Sequence, residues 1–323
     1  MNLTSRATLK MLAERFRELF QDAIHRFAHL INTENVTGDH IENSRNCSYC
    51  SDLAGEAENV KYCHWGTYGL KDSYDTGPGT GGKSELTYEG ISIGVSNSRC
   101  AFGAIVWWCR DALYALGCDT CSNIFGCVSL RGKEYCILNK QYTKKEYEEL
   151  LPKIKQHMKD MPYTDTQGRV YAYGEFFPAE IAPWAYNETV AQDYFPLTSQ
   201  TAQEHGYKWR DEEDSTHTPT LQGSELPDTI EGVDESILKE VIACEETGKS
   251  FRIVQQELDF YKKMNLPLPT RHPDVRHRIR LERRNPYRLW QRRAEDGTLV
   301  WTTFAPNRSE KIYSDEAYKR LIL

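Results

Sequence analysis

Between residues 46 and 139 one phrase keeps returning: a small polar or charged residue, a small or apolar one, a spacer, then an aromatic. It reads Asn46-Cys47-Ser48-Tyr49, Asn59-Val60-Lys61-Tyr62, Asp72-Ser73-Tyr74, Glu85-Leu86-Thr87-Tyr88 and Arg99-Cys100-Ala101-Phe102. Fainter copies follow at Asp111-Ala112-Leu113-Tyr114 and near Phe125. The rings at 49, 62, 74, 88, 102, 114 and 125 follow at intervals of 13, 12, 14, 14, 12 and 11 residues. A near-constant period with variable filling marks units that bury their apolar sides against one another, not one globular core. No helical period runs through the copies. Short alternating runs separated by Gly, Asn, Asp and Ser fit strands and turns.

The fold expected is mainly β: a parallel β-helix, or β-solenoid. Two phrases would make a coil of about 25 residues, with Tyr, Phe, Cys, Val and Ile pointing inward and like residues stacked above like. The plainer alternative is an irregular domain rich in Cys and aromatics, whose spacing is coincidence.

Composition limits the rest. A chain of 323 residues allows two domains. With 27% charged and 39% hydrophobic residues it reads as soluble. There is no apolar run of about 18 residues to span a membrane, and 1–8 lacks the apolar core of a secretory signal. Ten cysteines without an export signal are expected as reduced thiols packed as small hydrophobes. The expected location is therefore cytoplasmic, or within an intracellular or virion particle. The net charge of −7 is unevenly spread. Residues 204–240 hold eleven acids against three bases, and 271–293 hold nine arginines against Asp274 and Glu282.

Residues 8–31 show an amphipathic helix, with Leu9, Leu12, Phe16, Leu19, Phe20, Ala23, Phe27 and Leu30 at helical spacing. A solenoid must cover its open end, and this face suits that task. Thr143 with Glu146 forms a capping box for a helix to about 160, bent or restarted at Pro152. Residues 161–231 read as an extended linker that packs Phe176, Phe177, Trp184, Tyr186, Tyr194 and Phe195, with 211–228 mobile. A helix capped by Asp234 and a second over 255–264 follow.

Several patterns bear on chemistry. Cys47/Cys50 and Cys118/Cys121 have zinc-knuckle spacing, and Cys63 with His64 extends the first pair. The same places elsewhere in the repeat hold Val, Ser or Tyr, so volume rather than a thiolate is what they require. The turn 77–82 has the glycines of a phosphate loop but neither its ending nor a following helix. Asp72, Asp75, Glu85 and Glu89, with Trp65 and Tyr68, would put carboxylates and sugar platforms on one face of adjacent coils. Coil-edge acids are more often solvated turn residues.

Near the end, Cys244-Glu245-Glu246-Thr247-Gly248-Lys249 has the shape of a zinc-ribbon knuckle with its second Cys replaced. His272-Pro273-Asp274-Val275-Arg276-His277 has the shape of the partner knuckle, and a second ribbon is traceable through 293–297 and 314–317. Cys244 and His272 are what remains of the ligands, and two ligands do not hold a structural zinc, so no metal and no other cofactor is expected. The core expected in its place rests on Phe251, Ile253, Trp290, Trp301 and Phe304.

Together with these knuckles, the phrases at 35–39, 135–142, 174–178, 186–191, 251–253 and 285–290 carry a resemblance. The chain resembles an uncharacterised family of bacterial proteins, of candidate-phylum type, that join Cys-rich repeats to C-terminal zinc ribbons. The resemblance implies that architecture, with most ligands lost here, and no activity. The expected plan is 1–32 helix and cap, 33–142 solenoid, 143–231 helix and linker, and 232–323 a smaller α+β, degenerate ribbon-like domain.

The function expected is non-enzymatic: a scaffold whose solenoid meets a protein partner or copies of itself, away from membranes. No catalytic residues are named. The alternative is binding of nucleic acid or the ribosome through Arg276, Arg278, Arg280, Arg283, Arg284, Arg288, Arg292 and Arg293, with Tyr287 and Trp290 stacking on bases. Salt bridging to the acidic middle would equally explain the arginines. A carbohydrate-active β-helix is the third and weaker reading.

Overall fold

The structure, a computed structural model, describes residues 4–211 and 217–322. It forms two compact units. The larger comprises 25–209, 286–308 and 312–323, and the smaller comprises 1–24, 210–285 and 309–311. The expected segments 143–231 and 232–323 are each divided between the two.

In the larger unit, residues 30–137 wind as a parallel β-solenoid of about eight turns. The pairing register fixes the coil. Val36 lies beside Cys47, Cys47 beside Val60, Val60 beside Ser73, Thr87 beside Cys100 and Ser122 beside Glu134. One phrase is therefore one whole coil of 11–14 residues, and the expected coil of about 25 is corrected.

The physical reason lies in the backbone. Left-handed residues recur about every third position, as at Asn46, Tyr49 and Asp52, Asn59, Tyr62 and Trp65, and Arg99, Phe102, Ile105 and Trp108. Except for Asn265, every non-glycine residue with positive φ among those described lies between Asn32 and Asn139. Each such residue bends the chain, so four three-residue sides close a coil within about 12 residues. A left-handed backbone costs an L-residue roughly 1–2 kcal/mol, least for Asn and Asp. Here Asn and Asp lead the phrase. They also link successive coils: Asn35 Nδ2 donates to Asn46 (3.0 Å), Asn46 to Asn59 (3.2 Å) and Asn59 to Asp72 (2.8 Å).

A coil this tight turns few side chains inward, mostly Cys, Ala and Val with an aliphatic such as Leu53, Leu70, Ile93 or Ile124 at intervals. In one coil these are Cys100, Val106 and Cys109, in the next Ala112, Ala115, Cys118 and Cys121. All ten cysteines are free and buried. The rings, expected inside, are not there. They stack on the outside as a continuous ladder from Tyr49 to Phe125, with successive centroids 4.8–5.8 Å apart. Tyr49, Tyr62, Tyr74 and Tyr88 remain about 40% exposed, whereas Phe102, Tyr114 and Phe125 are buried. The interior is too narrow for a ring, and only the later rungs are covered from outside, by Tyr173 and Phe177.

The last coil ends where Glu134–Ile137 pairs antiparallel with Lys140–Gln141. The helix Lys144–Asp160 follows, opened by the Thr143–Glu146 capping box and continuous through Pro152. Its Tyr147, Leu150, Leu151, Ile154 and Met158 join the cluster around Phe125 and Ile137. At the other end the hairpin Trp290–Arg293/Leu299–Thr302 approaches the first coils. Thr302 donates to the Phe27 carbonyl (2.6 Å), and Trp301 packs edge-on to Tyr49 (5.7 Å).

The smaller unit holds the N-terminal helix, Arg6–Asp22, shorter than the expected span 8–31. Arg6 donates to the carbonyls of Leu226 (3.1 Å) and Pro227 (2.9 Å). The core is Ile242, Ile253, Leu258 and Leu268, with Phe251 and Val275. It lies among a three-stranded sheet and the helices Gln255–Met264 and Pro273–Leu281. Of the stretch expected to be mobile, 212–216 lies outside the described residues. Leu221–Gln222 is a strand of that sheet, paired with Ile242–Ala243. Trp290, Trp301 and Phe304, expected in one core with Phe251 and Ile253, belong to the larger unit, where Phe304 packs with Ala294, Val300 and Ile312.

Candidate functional site

Two adjoining hollows on the larger unit bring chemistry together. Tyr74 is in register with Tyr88, which sets the left-handed residues Asp75 and Glu89 one above the other on neighbouring coils. The backbone beside them is drawn in close. Gly77 N donates to Gly90 O (2.6 Å), and a Cβ on Gly90 would fall 2.1 Å from Ile93 Cδ1. The facing wall comes from 171–177. Gly174 N donates to the Tyr114 hydroxyl (3.0 Å), and Phe177 packs edge-on against the Tyr114 ring (5.8 Å).

The first hollow, about 420 Å³, is lined by Asp75, Glu89, Glu175, Ile91, Phe176 and Phe177, with Tyr171 and two glycines. The second, about 320 Å³, shares Tyr171, Glu175, Phe176 and Phe177 and adds Tyr114, Phe125, Met158 and Ile181. Every charged residue on either lining is an acid. Among the described residues, Asp75, Glu89 and Glu175 have no ion-pair partner. The carboxylates act jointly on Tyr88: its hydrogen bond to Glu89, then burial, then the charges of Glu89, Asp75 and Glu175 push its phenol up to about 12.

Of the predicted carboxylates, then, Asp75 and Glu89 share the groove. Asp72 accepts from Asn59 and Glu85 accepts from Ser98 (3.0 Å), so both belong to inter-coil ladders instead. Trp65 is engaged elsewhere, donating to Asp52 (2.9 Å) and packing on Tyr194 (5.1 Å), while Tyr68 is exposed. Glu175, the third acid, was not legible as a partner, because the linker carries no period that would place it.

The arginines divide. Within 271–285, Arg271 pairs with Glu245 (3.0 Å), Arg276 with Glu257 (3.1 Å), and Arg278 with Glu246 and Glu282. Arg280, Arg283 and Arg284 are exposed, and among the described residues the side chains of the first two make no hydrogen bond or ion pair. The others lie in the larger unit. Arg288 covers the Trp290 ring (5.3 Å), while Arg292 and Arg293 donate to the carbonyls of Ala305 and Gly297. Tyr287 donates to Asp52 (2.6 Å) and packs on Tyr194 (5.0 Å). Neither predicted stacking ring stands open.

In the turn after Cys244, Cys244 N donates to Lys249 O (3.0 Å) and Gly248 N to Cys244 O (2.9 Å). Burial pushes the Cys244 thiol up, but hydrogen bonds from the Thr247 hydroxyl and from the amides of His272, Thr247 and Glu246 bring it below the usual thiol range. His272 Nδ1 accepts from Asp274 N (3.2 Å) and caps the helix Pro273–Leu281. Ser314 bonds Asp296, an oxygen contact in the place expected of thiolates. Cys118 and Cys121 are inward, their thiols donating to the carbonyls of Leu116 and Asp119. Cys47, Cys50 and Cys63 are likewise inside, while His64 packs on Tyr287 (5.1 Å). Among the described residues, potential metal ligands converge in a group of three at His29, Asp39 and His40. The pattern that could have found it is the 11-residue interval between the histidines, one coil.

Among the described residues no helix is long and apolar enough to cross a membrane. No family model, no curated protein and no solved structure matches the chain.

Proposed function

We propose that this chain is a non-enzymatic binding protein, whose solenoid groove takes an extended segment of a protein partner carrying Lys or Arg beside an apolar side chain. The observation that carries this reading is the groove's lining: three carboxylates without a cationic partner, continuous with a wall of Tyr, Phe, Met and Ile. An ammonium or guanidinium there gains both charge complementarity and ring faces. Free, buried thiols suit a partner met in a reducing compartment.

The test uses labelled decapeptides alternating Lys or Arg with Phe or Leu, against charge-reversed controls, by fluorescence anisotropy. The basic peptides should bind, weaken with salt, and lose at least about tenfold in affinity when Asp75→Asn, Glu89→Gln and Glu175→Gln are combined, since charged contacts of 1.4 kcal/mol or more are at stake. Equal binding of basic and acidic peptides, or indifference to the triple substitution, would sink the proposal. One second reading has specific support. Asp75 and Glu89 on neighbouring coils beside aromatic rings also suit a glycan, and glycan cleavage abolished by Glu89→Gln would favour that reading instead.

A further inference from the structure

His29 and His40 lie one coil apart, because Leu30 is in register with Ile41. Their imidazoles stack at 4.6 Å with 19° between the planes. Both direct Nδ1 at one atom, Asp39 Oδ1, at 3.3 Å from His29 and 3.6 Å from His40. The three atoms all lie within 4.8 Å of one another. The histidine side chains are about 60% exposed, whereas Asp39 is 4% exposed.

Asp39 is firmly held. Oδ1 accepts from the amides of His29 (2.7 Å) and His40 (3.0 Å), and Oδ2 from the Thr303 hydroxyl (2.7 Å). Three donors converging on its two oxygens hold it as a carboxylate. A buried anion is ordinarily neutralised by a cation. Among the described residues no Lys or Arg makes an ion pair with it, and its titratable neighbours in contact are the two histidines. Beside that carboxylate the two stacked imidazoles offer nitrogen donors, and a single divalent ion engages all three groups.

We infer that His29, His40 and Asp39 form a binding site for a divalent transition-metal ion of the zinc class. Ligands about 2.0–2.2 Å from a tetrahedral centre are separated by roughly 3.3–3.5 Å, close to the two measured spacings, and the exposed rings can close the third. Imidazole donors select zinc, cobalt or nickel over magnesium and calcium. Asp52 supports the site from outside. Its Oδ1 is 3.9 Å from His40 Nδ1, while its Oδ2 accepts from Trp65 (2.9 Å) and Tyr287 (2.6 Å). That carboxylate adds negative charge beside the ion.

The experiment is titration of the chelator-stripped full chain with Co²⁺, read by visible absorption, followed by displacement with Zn²⁺. One equivalent should bind with the weak visible bands of nitrogen and oxygen ligation. His29→Asn combined with His40→Asn should lower affinity at least about 100-fold, while the circular dichroism of the metal-free protein keeps its β-solenoid form. Asp52→Asn should lower it by less, through loss of a nearby negative charge. Three results would overturn the site: no binding by the wild type at millimolar Co²⁺, equal binding by the double variant, or an intense near-ultraviolet thiolate band showing that cysteine holds the ion. The groove proposal is read with peptides in chelator, so the two fail separately.

Discussion

At Gly90 the interior leaves no room even for a methyl group. A Cβ there would meet Ile93 Cδ1 at 2.1 Å and Cγ1 at 2.6 Å. Gly90→Ala should destabilise the protein by about 1–3 kcal/mol, the usual cost of overfilling a packed core, and urea unfolding would read it. The thiols sit in the same narrow column. Burial pushes Cys50 and Cys109 up to about 12, and Cys63 and Cys100 up to about 11. Above the ordinary thiol range near pH 8.5–9, the unfolded chain releases these protons while the folded chain keeps them. Stability therefore falls as pH rises through that range, by on the order of 5 kcal/mol per pH unit for four thiols. Chemical denaturation between pH 8 and 10 checks it, and a flat profile would mean the thiols are not held in the folded interior.

Among the elements, the external ring ladder separates two roles for one repeated residue. Phe102 is buried between Tyr88, Tyr114 and Tyr173, whereas Tyr62 is 42% exposed between Tyr49 and Tyr74. Phe102→Ala should cost about 3–5 kcal/mol. Tyr62→Ala should cost about 1 kcal/mol, the worth of ring pairing with little burial. Thermal melts of the two variants distinguish them, and equal effects would contradict the difference in covering. The Asn35–Asn46–Asn59 ladder belongs to the same scale. Each amide both tolerates the left-handed backbone and bonds the next coil, which is why Asn opens so many phrases.

For the molecule as a whole, part of the arginine cluster is neutralised internally. Arg271, Arg276 and Arg278 pair with acids of their own unit, and Tyr287 and Trp290 are already covered. Any binding of single-stranded RNA should therefore show a shallow salt dependence. With few arginines open, the slope of log affinity on log salt should not exceed about two. A slope of five or more in filter binding would favour the nucleic-acid reading.

Sequence alone determined the solenoid and the rows in which its rings stack, because stacking identical coils requires a near-constant interval in the chain. It also showed the Thr143 cap and the amphipathic character of the first helix, which are local effects. It did not determine the coil's size or which residues point inward. Both depend on a left-handed backbone at every third residue, and Tyr49, Ile105 and Trp108 have no individual preference for that conformation. The assembly of Glu175 with Asp75 and Glu89, and of His29 with Asp39 and His40, was decided only in three dimensions. Residues one coil apart meet at strand spacing, and a wall from 171–177 meets a coil 80–100 positions earlier, through contacts that no local pattern records.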